Sequence, residues 1–284
     1  MSVALGKRER LVALPALRPR MADLWVPKFA ASVRAELDRE FAEAAEQVAA
    51  GASLDAVTAP WEGRMYGAQL PMCVAMAMEG YKLAEAEFGK SAGLEELGGK
   101  AVDVFTQAAS LALAEEGVEN LKLGFADELL ATKVQPPVEE WLRTVTKSIT
   151  HTTLDRMTRR VATGIAEGLT VDELSRSLRK MGVTTNKARA DMIARTSTIW
   201  SYNDGAQTLY RESGVAAKEW MVTEDDALCE FCAALDGMQV LIGESYAAAG
   251  SELTGTEGGT LGVAYTMEHP PAHPACRCVL LPVI

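Results

Sequence analysis

The residues of this chain that could do chemistry are concentrated near its C-terminal end. The segment HPPAHPACRC, residues 269 to 278, holds two of the three histidines and two of the five cysteines. A second pair, Cys229 and Cys232, has the C-x2-C spacing that lets two sulfurs reach one metal ion. Thiolate and imidazole groups are the usual zinc ligands in proteins. The pattern therefore predicts a zinc site.

Local geometry favours convergence of the second group of donors, His273, Cys276 and Cys278, on one ion. Cys276 and Cys278 are two residues apart, so both face one side of an extended segment while Arg277 points away. Pro274 restricts the residue before it to extended backbone, which lets His273 approach from the preceding turn.

The predicted site has more donors than a four-coordinate ion needs. We expect three cysteines to bind, namely Cys229, Cys232 and Cys276, while His273 and Cys278 compete for the fourth position. A closed, thiolate-rich set is typical of a structural zinc, because a catalytic zinc keeps an open position.

The cysteine spacing is also compatible with two states that contain no metal. After release from the cell, a disulfide could join Cys229 or Cys232 to Cys276 or Cys278; otherwise the thiols could be free and buried. A metal or a disulfide would stabilise the closed loop by ~3 to 4 kcal/mol, so both could compensate for a small hydrophobic core.

A zinc enzyme is a further alternative. Glu268 and His269 are the nearest acid and base, but the H-x-E and C-x2-C order of zinc deaminases is absent. The Walker lysine, G-x-S-x-G and H-E-x-x-H signatures are also missing. No motif points to catalysis, and we expect a protein that is not an enzyme.

The bulk composition is that of an ordinary globular protein, with 284 residues, 48% of them hydrophobic and 24% charged. There is no apolar run long enough to span a membrane, and the charged N-terminus argues against a secretory signal, so we expect a cytoplasmic origin. A net charge of −11 opposes wrapping of nucleic acid over the whole surface, although a local basic patch is compatible with it.

Most of the chain from about residue 28 to 214 is predicted to be helical. Cys73 is expected to be a buried thiol on one of these helices. A boundary is expected at the paired prolines of QPPVEEW, which should end one helix. Thr170 and Glu173 should cap the start of a short helix, and Gly182 should end it. Amphipathic helices are predicted at about 29 to 51, 61 to 90, 93 to 116, 119 to 133, 171 to 182 and 186 to 214.

The sequence pattern changes from helical to strand-like after Gly214. Alternation over 216 to 223 predicts a half-buried strand with Lys218, Trp220 and Val222 on one face. Further strands are predicted in DGMQVLIG and CRCVLLPVI, and a flexible glycine-rich loop between them. The expected fold class is α+β: a mainly helical N-terminal and central region with a small, β-rich C-terminal module held together by cysteine and histidine. The predicted domains are 1–135 (helical), 136–214 (helical hairpin) and 215–284 (β-rich).

The order of these elements resembles the C-terminal domain of the phage Mu F-like minor head, or head morphogenesis, proteins. The similarity covers about 193 to 284, with a similar helical lead-in upstream. Ser197 stands where an acidic residue is expected, and the glycine-rich insertion at 243 to 264 is longer than usual. The matching residues are Arg195, Thr196, Asn203, Trp220, Cys229, Cys232, Asp236, Gly237, His273, Cys276, Arg277 and Cys278.

The resemblance implies a non-enzymatic minor capsid protein of a tailed phage or prophage. Such proteins associate with the portal vertex during head assembly, so the expected partners are the portal protein, the major capsid protein or both. The expected location is the virion, and the host cytoplasm during assembly. The alternative is a DNA-binding zinc module that aids genome packaging or ejection through basic segments at 156 to 160 and 176 to 189.

Overall fold

The part of the chain that the structure describes contains four long helices. A computed structural model describes residues 13–50, 54, 58–91, 125–223 and 228–283, so the predicted helix at 93 to 116 lies outside the described residues. No helix within these ranges is both long and apolar enough to cross a membrane. The long helices are α1 (Ala13–Ala49), α2 (Thr58–Ser91), α3 (Phe125–Ala166) and α4 (Val171–Glu212).

Helix α4 packs against the other three helices. Their shared core is apolar and includes Cys73, which is fully buried on α2 as predicted, so burial raises the pKa of its thiol to about 12. Helical periodicity explains this arrangement, because each amphipathic helix must bury one stripe of apolar side chains. The core also contains Phe29, Val33, Leu37, Met65, Met76, Leu142 and Ile193.

The predicted helix end at the paired prolines is wrong. Helix α3 runs without interruption through Pro136 and Pro137. Val134, Val138 and Leu142 are fully buried on the two sides of the prolines and share one helical stripe. Packing of this stripe favours a continuous helix despite the hydrogen bonds that the prolines cannot donate. The division into three domains stays a prediction.

The predicted helix end at Gly182 is also wrong, because α4 continues to Glu212. A β-carbon on Gly182 would lie 3.0 Å from the Cβ and Cγ atoms of Phe41, so this glycine makes room for a ring of α1. The predicted start is confirmed: the Thr170 side chain accepts from the Glu173 N–H, and the Glu173 carboxylate accepts from the Thr170 N–H.

The C-terminal module contains a three-stranded antiparallel sheet, in which Ala217–Met221 (β1) lies between Gln239–Leu241 (β2) and Val279–Val283 (β5). All three of its strands were predicted. The glycine-rich segment between them is not the predicted loop throughout, because it forms an antiparallel hairpin of two short strands. The elements are β1 (Ala217–Met221), α5 (Glu230–Leu235), β2 (Gln239–Leu241), β3 (Glu252–Thr254), β4 (Thr260–Gly262) and β5 (Val279–Val283).

The module shares its hydrophobic core with the helices. Trp220 is fully buried and contacts Tyr246 edge-on, with ring centroids 5.1 Å apart. Helix α4 supplies Leu209 and Tyr210 to the same cluster. The core of the module therefore contains large aromatic side chains, and helix α4 supplies part of it. The α+β class is confirmed.

Stability should depend on pH through Glu40, which is buried in the helical core. Burial raises the pKa of this carboxyl to about 8, although the positive charge of Arg189 opposes the rise. A raised folded-state pKa means that the stabilising contribution is complete below the unfolded pKa near 4.5 and is lost as pH rises towards 8. We expect Glu40→Gln to flatten the fall in the free energy of unfolding between pH 5 and 8, measured by urea denaturation. An unchanged slope would contradict this assignment.

Candidate metal centre

The first pair of candidate ligands is placed by the start of helix α5. Cys229 is the N-cap of this helix, with extended backbone at φ −93° and ψ 160°. Its sulfur accepts a hydrogen bond from the backbone N–H of Cys232 at 3.4 Å. The C-x2-C spacing therefore corresponds to one turn that begins at the cap, so both sulfurs project from the same helix end.

The second group of ligands is placed by a tight turn before β5. The Cys276 N–H donates to the His273 carbonyl at 3.1 Å, and Ala275 within this turn has a positive φ of 64°. His273 Nδ1 lies 2.8 Å from the Pro274 carbonyl oxygen. Because a carbonyl can only accept, Nδ1 carries the proton, and in the neutral ring Nε2 keeps the lone pair that a metal binds.

The structure brings all five predicted donors together in two overlapping groups. Within each group the donor atoms lie within 4.8 Å of one another, and the two groups share only Cys232. The groups are Cys229, Cys232 and His273, and Cys232, Cys276 and Cys278.

The distances between donors are close to those of a tetrahedral site. Nε2 of His273 lies 3.0 Å from the sulfur of Cys229 and 3.2 Å from that of Cys232. The Cys232 and Cys276 sulfurs are 3.6 Å apart. Ligands of one tetrahedral zinc are separated by about 3.5 to 3.8 Å, given bonds of about 2.0 to 2.3 Å. The distances within each group are therefore near those of a shared ion, whereas the five donors do not all lie within 4.8 Å of one another.

Burial and charge also fit metal binding. Cys232, Cys276 and Cys278 are buried, whereas Cys229 and His273 are partly exposed at a small cleft. Hydrogen bonds from the Cys232 and Cys278 thiols lower the pKa of Cys276, which favours a thiolate inside the cluster. Thiolate is the form of cysteine that binds metal, and a cation would neutralise its buried charge. These cysteine and histidine groups could hold a metal ion.

The geometry of the cluster differs from that of a disulfide. All five cysteines are free thiols. The Cys232 and Cys276 sulfurs, at 3.6 Å, would have to approach to about 2.05 Å to form a bond.

The nearest acid and base make contacts outside the donor cluster. Glu268 accepts from Arg211 Nη2 at 2.5 Å and from Gln207 Nε2 at 2.8 Å. His269 is buried, with Nε2 3.7 Å from Asp204. These contacts join α4 to the C-terminal module. From the sequence, Arg277 could pair with Glu224, Asp225 or Asp226, but these three acids lie outside the described residues.

Glu230 is a residue of the site that sequence reasoning missed. It follows Cys229 directly, and its carboxylate accepts from the N–H groups of Glu257 and Gly259 at 3.2 and 3.1 Å. A β-carbon on Gly255 or Gly259 would lie 2.3 Å from a carboxylate oxygen of Glu230, so glycine is needed for this close contact. These hydrogen bonds connect the β3–β4 hairpin to helix α5, at whose start the candidate ligands Cys229 and Cys232 lie. The signal in the sequence was the glycine-rich run GTEGG.

Comparison with known proteins extends this description to a family. Residues 155–281 match the family model described as Phage Mu protein F like protein. No curated protein and no solved structure matches the chain. The matched range includes the end of α3, all of α4 and the five candidate ligands, and it begins earlier than the similarity found by reading the motifs. The predicted resemblance to the phage Mu F-like head morphogenesis proteins is confirmed over residues 155–281.

Proposed function

We propose that this chain is a minor structural protein of a tailed phage or prophage head, which binds the portal protein, the major capsid protein or both during assembly. The observation that carries the proposal is the family match over residues 155–281. Assembly would take place in the host cytoplasm, and the protein would then reside in the virion. Its role would be architectural and not enzymatic.

The helical hairpin formed by α3 and α4 offers a surface for such a partner. Ile165 and Val171 are exposed at the closed end of the hairpin, at 63% and 48%. Val183, farther along α4, is 73% exposed. Exposed apolar side chains are a common feature of protein-binding surfaces, so we assign the partner contact to this end and to the adjoining part of α4 that carries Val183.

The proposed metal is zinc in a structural role. The ion would be bound by Cys229, Cys232 and Cys276, with His273 or Cys278 as the fourth ligand. Zinc supplies a rigid tetrahedral junction, and here it would join the start of α5 to the turn before β5. The thiolate-rich donor set is the feature that favours zinc and a closed site.

The assembly proposal can be tested with purified phage heads and a matched pair of variants. We expect mass spectrometry to find the chain in wild-type heads. We expect Val183→Glu to lower its content at least several-fold, because a charge would interrupt the apolar contact surface. Leu241→Glu is the control, since Leu241 is also exposed, at 57%, but lies on β2 of the module. Absence of the wild-type chain from heads, together with no binding to purified portal or capsid protein, would refute the proposal.

A DNA-binding role has one supporting observation, the exposed basic side chains of the hairpin. The side chains of Arg159 and Lys187 are 76% and 74% exposed. Both form ion pairs within their own helix, Arg159 with Asp155 and Lys187 with Asp191, so much of their charge is offset. Steep loss of DNA affinity with rising salt would favour this role, whereas negligible binding at low salt would exclude it.

A further inference from the structure

One face of helix α4 contacts the loop that carries three of the five candidate ligands. Thr196 and Asn203 are seven residues apart, so two helical turns place them on the same face. Both side chains form hydrogen bonds with the backbone between residues 270 and 280. The contacts join a regular helix to an irregular loop, whose backbone groups have few partners of their own.

Asn203 provides most of these hydrogen bonds and is fully buried. Its Nδ2 donates to the carbonyl oxygens of Pro270 and Cys278 at 3.3 and 3.2 Å. Its Oδ1 accepts from the Leu280 N–H at 2.9 Å. One amide therefore holds the beginning and the end of the loop, as well as the start of strand β5 at Leu280.

Thr196 holds the middle of the same loop. Its hydroxyl oxygen accepts from the Ala275 N–H at 3.0 Å. Ala275 lies between His273 and Cys276 and has the positive φ of 64°. This backbone conformation is unfavourable for alanine, so an external hydrogen bond helps to maintain it.

We propose that Asn203 and Thr196 are positioning residues of the metal centre, through which helix α4 pre-organises His273, Cys276 and Cys278 for binding. The inference rests on the proposed metal site and adds the residues that set its affinity. Hydrogen bonds to the backbone beside each ligand reduce the conformational freedom that is lost when the ion binds. Replacement of residues that orient ligands typically lowers metal affinity 10- to 100-fold.

The test compares zinc affinity in full-length variants by competition with a chromogenic chelator. We expect Asn203→Ala to weaken zinc binding about 10- to 100-fold, within the range for residues that orient ligands. The matched control is Asn186→Ala: Asn186 is also fully buried on α4, but it donates to Asp38 of α1 at 2.8 Å. The control should lose stability while its zinc affinity stays within about twofold of wild type, because Asn186 contacts no part of the ligand loop.

Two further readouts separate positioning from general destabilisation. Thr196→Val removes one hydroxyl at a partly exposed position, so it should fold even if Asn203→Ala does not, and we expect weaker zinc binding. Substitution with cobalt(II) should show altered d–d and thiolate charge-transfer bands in the Asn203 and Thr196 variants only. Wild-type zinc affinity in both variants would overturn the positioning role alone, whereas a wild-type chain that binds no zinc would overturn the metal site itself.

Discussion

Replacement of Cys232 with alanine is expected to abolish stoichiometric metal binding and to unfold the C-terminal module. Cys232 is the only residue that belongs to both donor groups, and it is buried between His273 and Cys276. Its loss leaves no intact group of three donors in the described cluster. Structural zinc contributes directly to folding free energy, so the module should lose its fixed packing while the helices persist. Metal content by elemental mass spectrometry and near-ultraviolet circular dichroism would show this result.

Cys73→Ala is the control for this prediction, because Cys73 is also buried but lies on α2 in the helical core. This variant should retain its metal. If Cys232→Ala keeps one ion per chain, the proposed ligand set is wrong. Intact mass of the wild-type protein under oxidising conditions distinguishes the disulfide alternative, since each disulfide removes two hydrogen atoms and releases no metal when reduced.

Replacement of Gly205 with alanine is expected to lower the free energy of unfolding by about 3 kcal/mol or more. A β-carbon at this position would lie 1.8 Å from the Ala77 carbonyl oxygen. Where helix α2 crosses helix α4, a β-carbon on Gly80 would likewise lie 2.0 Å from the Tyr202 carbonyl oxygen. The backbones of α2 and α4 thus touch, and the obstructing atoms cannot move without displacing a helix.

Gly67→Ala provides the opposite expectation on helix α2, which packs against the helix of Gly205. Apart from the neighbouring backbone of α2 itself, no atom of the described residues lies within 4 Å of a β-carbon at Gly67, so alanine should stabilise the helix by about 0.5 to 1 kcal/mol. Urea denaturation of both variants gives the comparison. Equal stability of the Gly205 and Gly67 variants would show that the close crossing of α2 and α4 is wrong.

Features with a local physical cause could be predicted from the sequence. The Thr170 and Glu173 capping box depends on residues three apart, and it is present as expected. The alternation that buries Lys218 and Trp220 depends only on the two-residue period of a strand. The resemblance to Mu F-like proteins was also readable, because its motifs occur in a fixed order along the chain.

Features that depend on distant contacts were predicted less well. Pro136, Pro137 and Gly182 are local signals of helix ends, but burial of the surrounding apolar stripes maintains continuous helices. The β3–β4 hairpin was predicted as a loop because its stabilising partner, Glu230, lies far away in the sequence. In each case a contact between separate elements outweighs the local preference.

By itself, the sequence determined which side chains could bind a metal: two cysteines at C-x2-C spacing, and a histidine with two cysteines in HPACRC. Only the tertiary structure decided that these groups meet, with Cys232 shared between them and Asn203 holding the loop that carries the second. The physical reason is that spacing within a short segment follows from covalent geometry, whereas closure of the long loop between the segments depends on packing against helix α4.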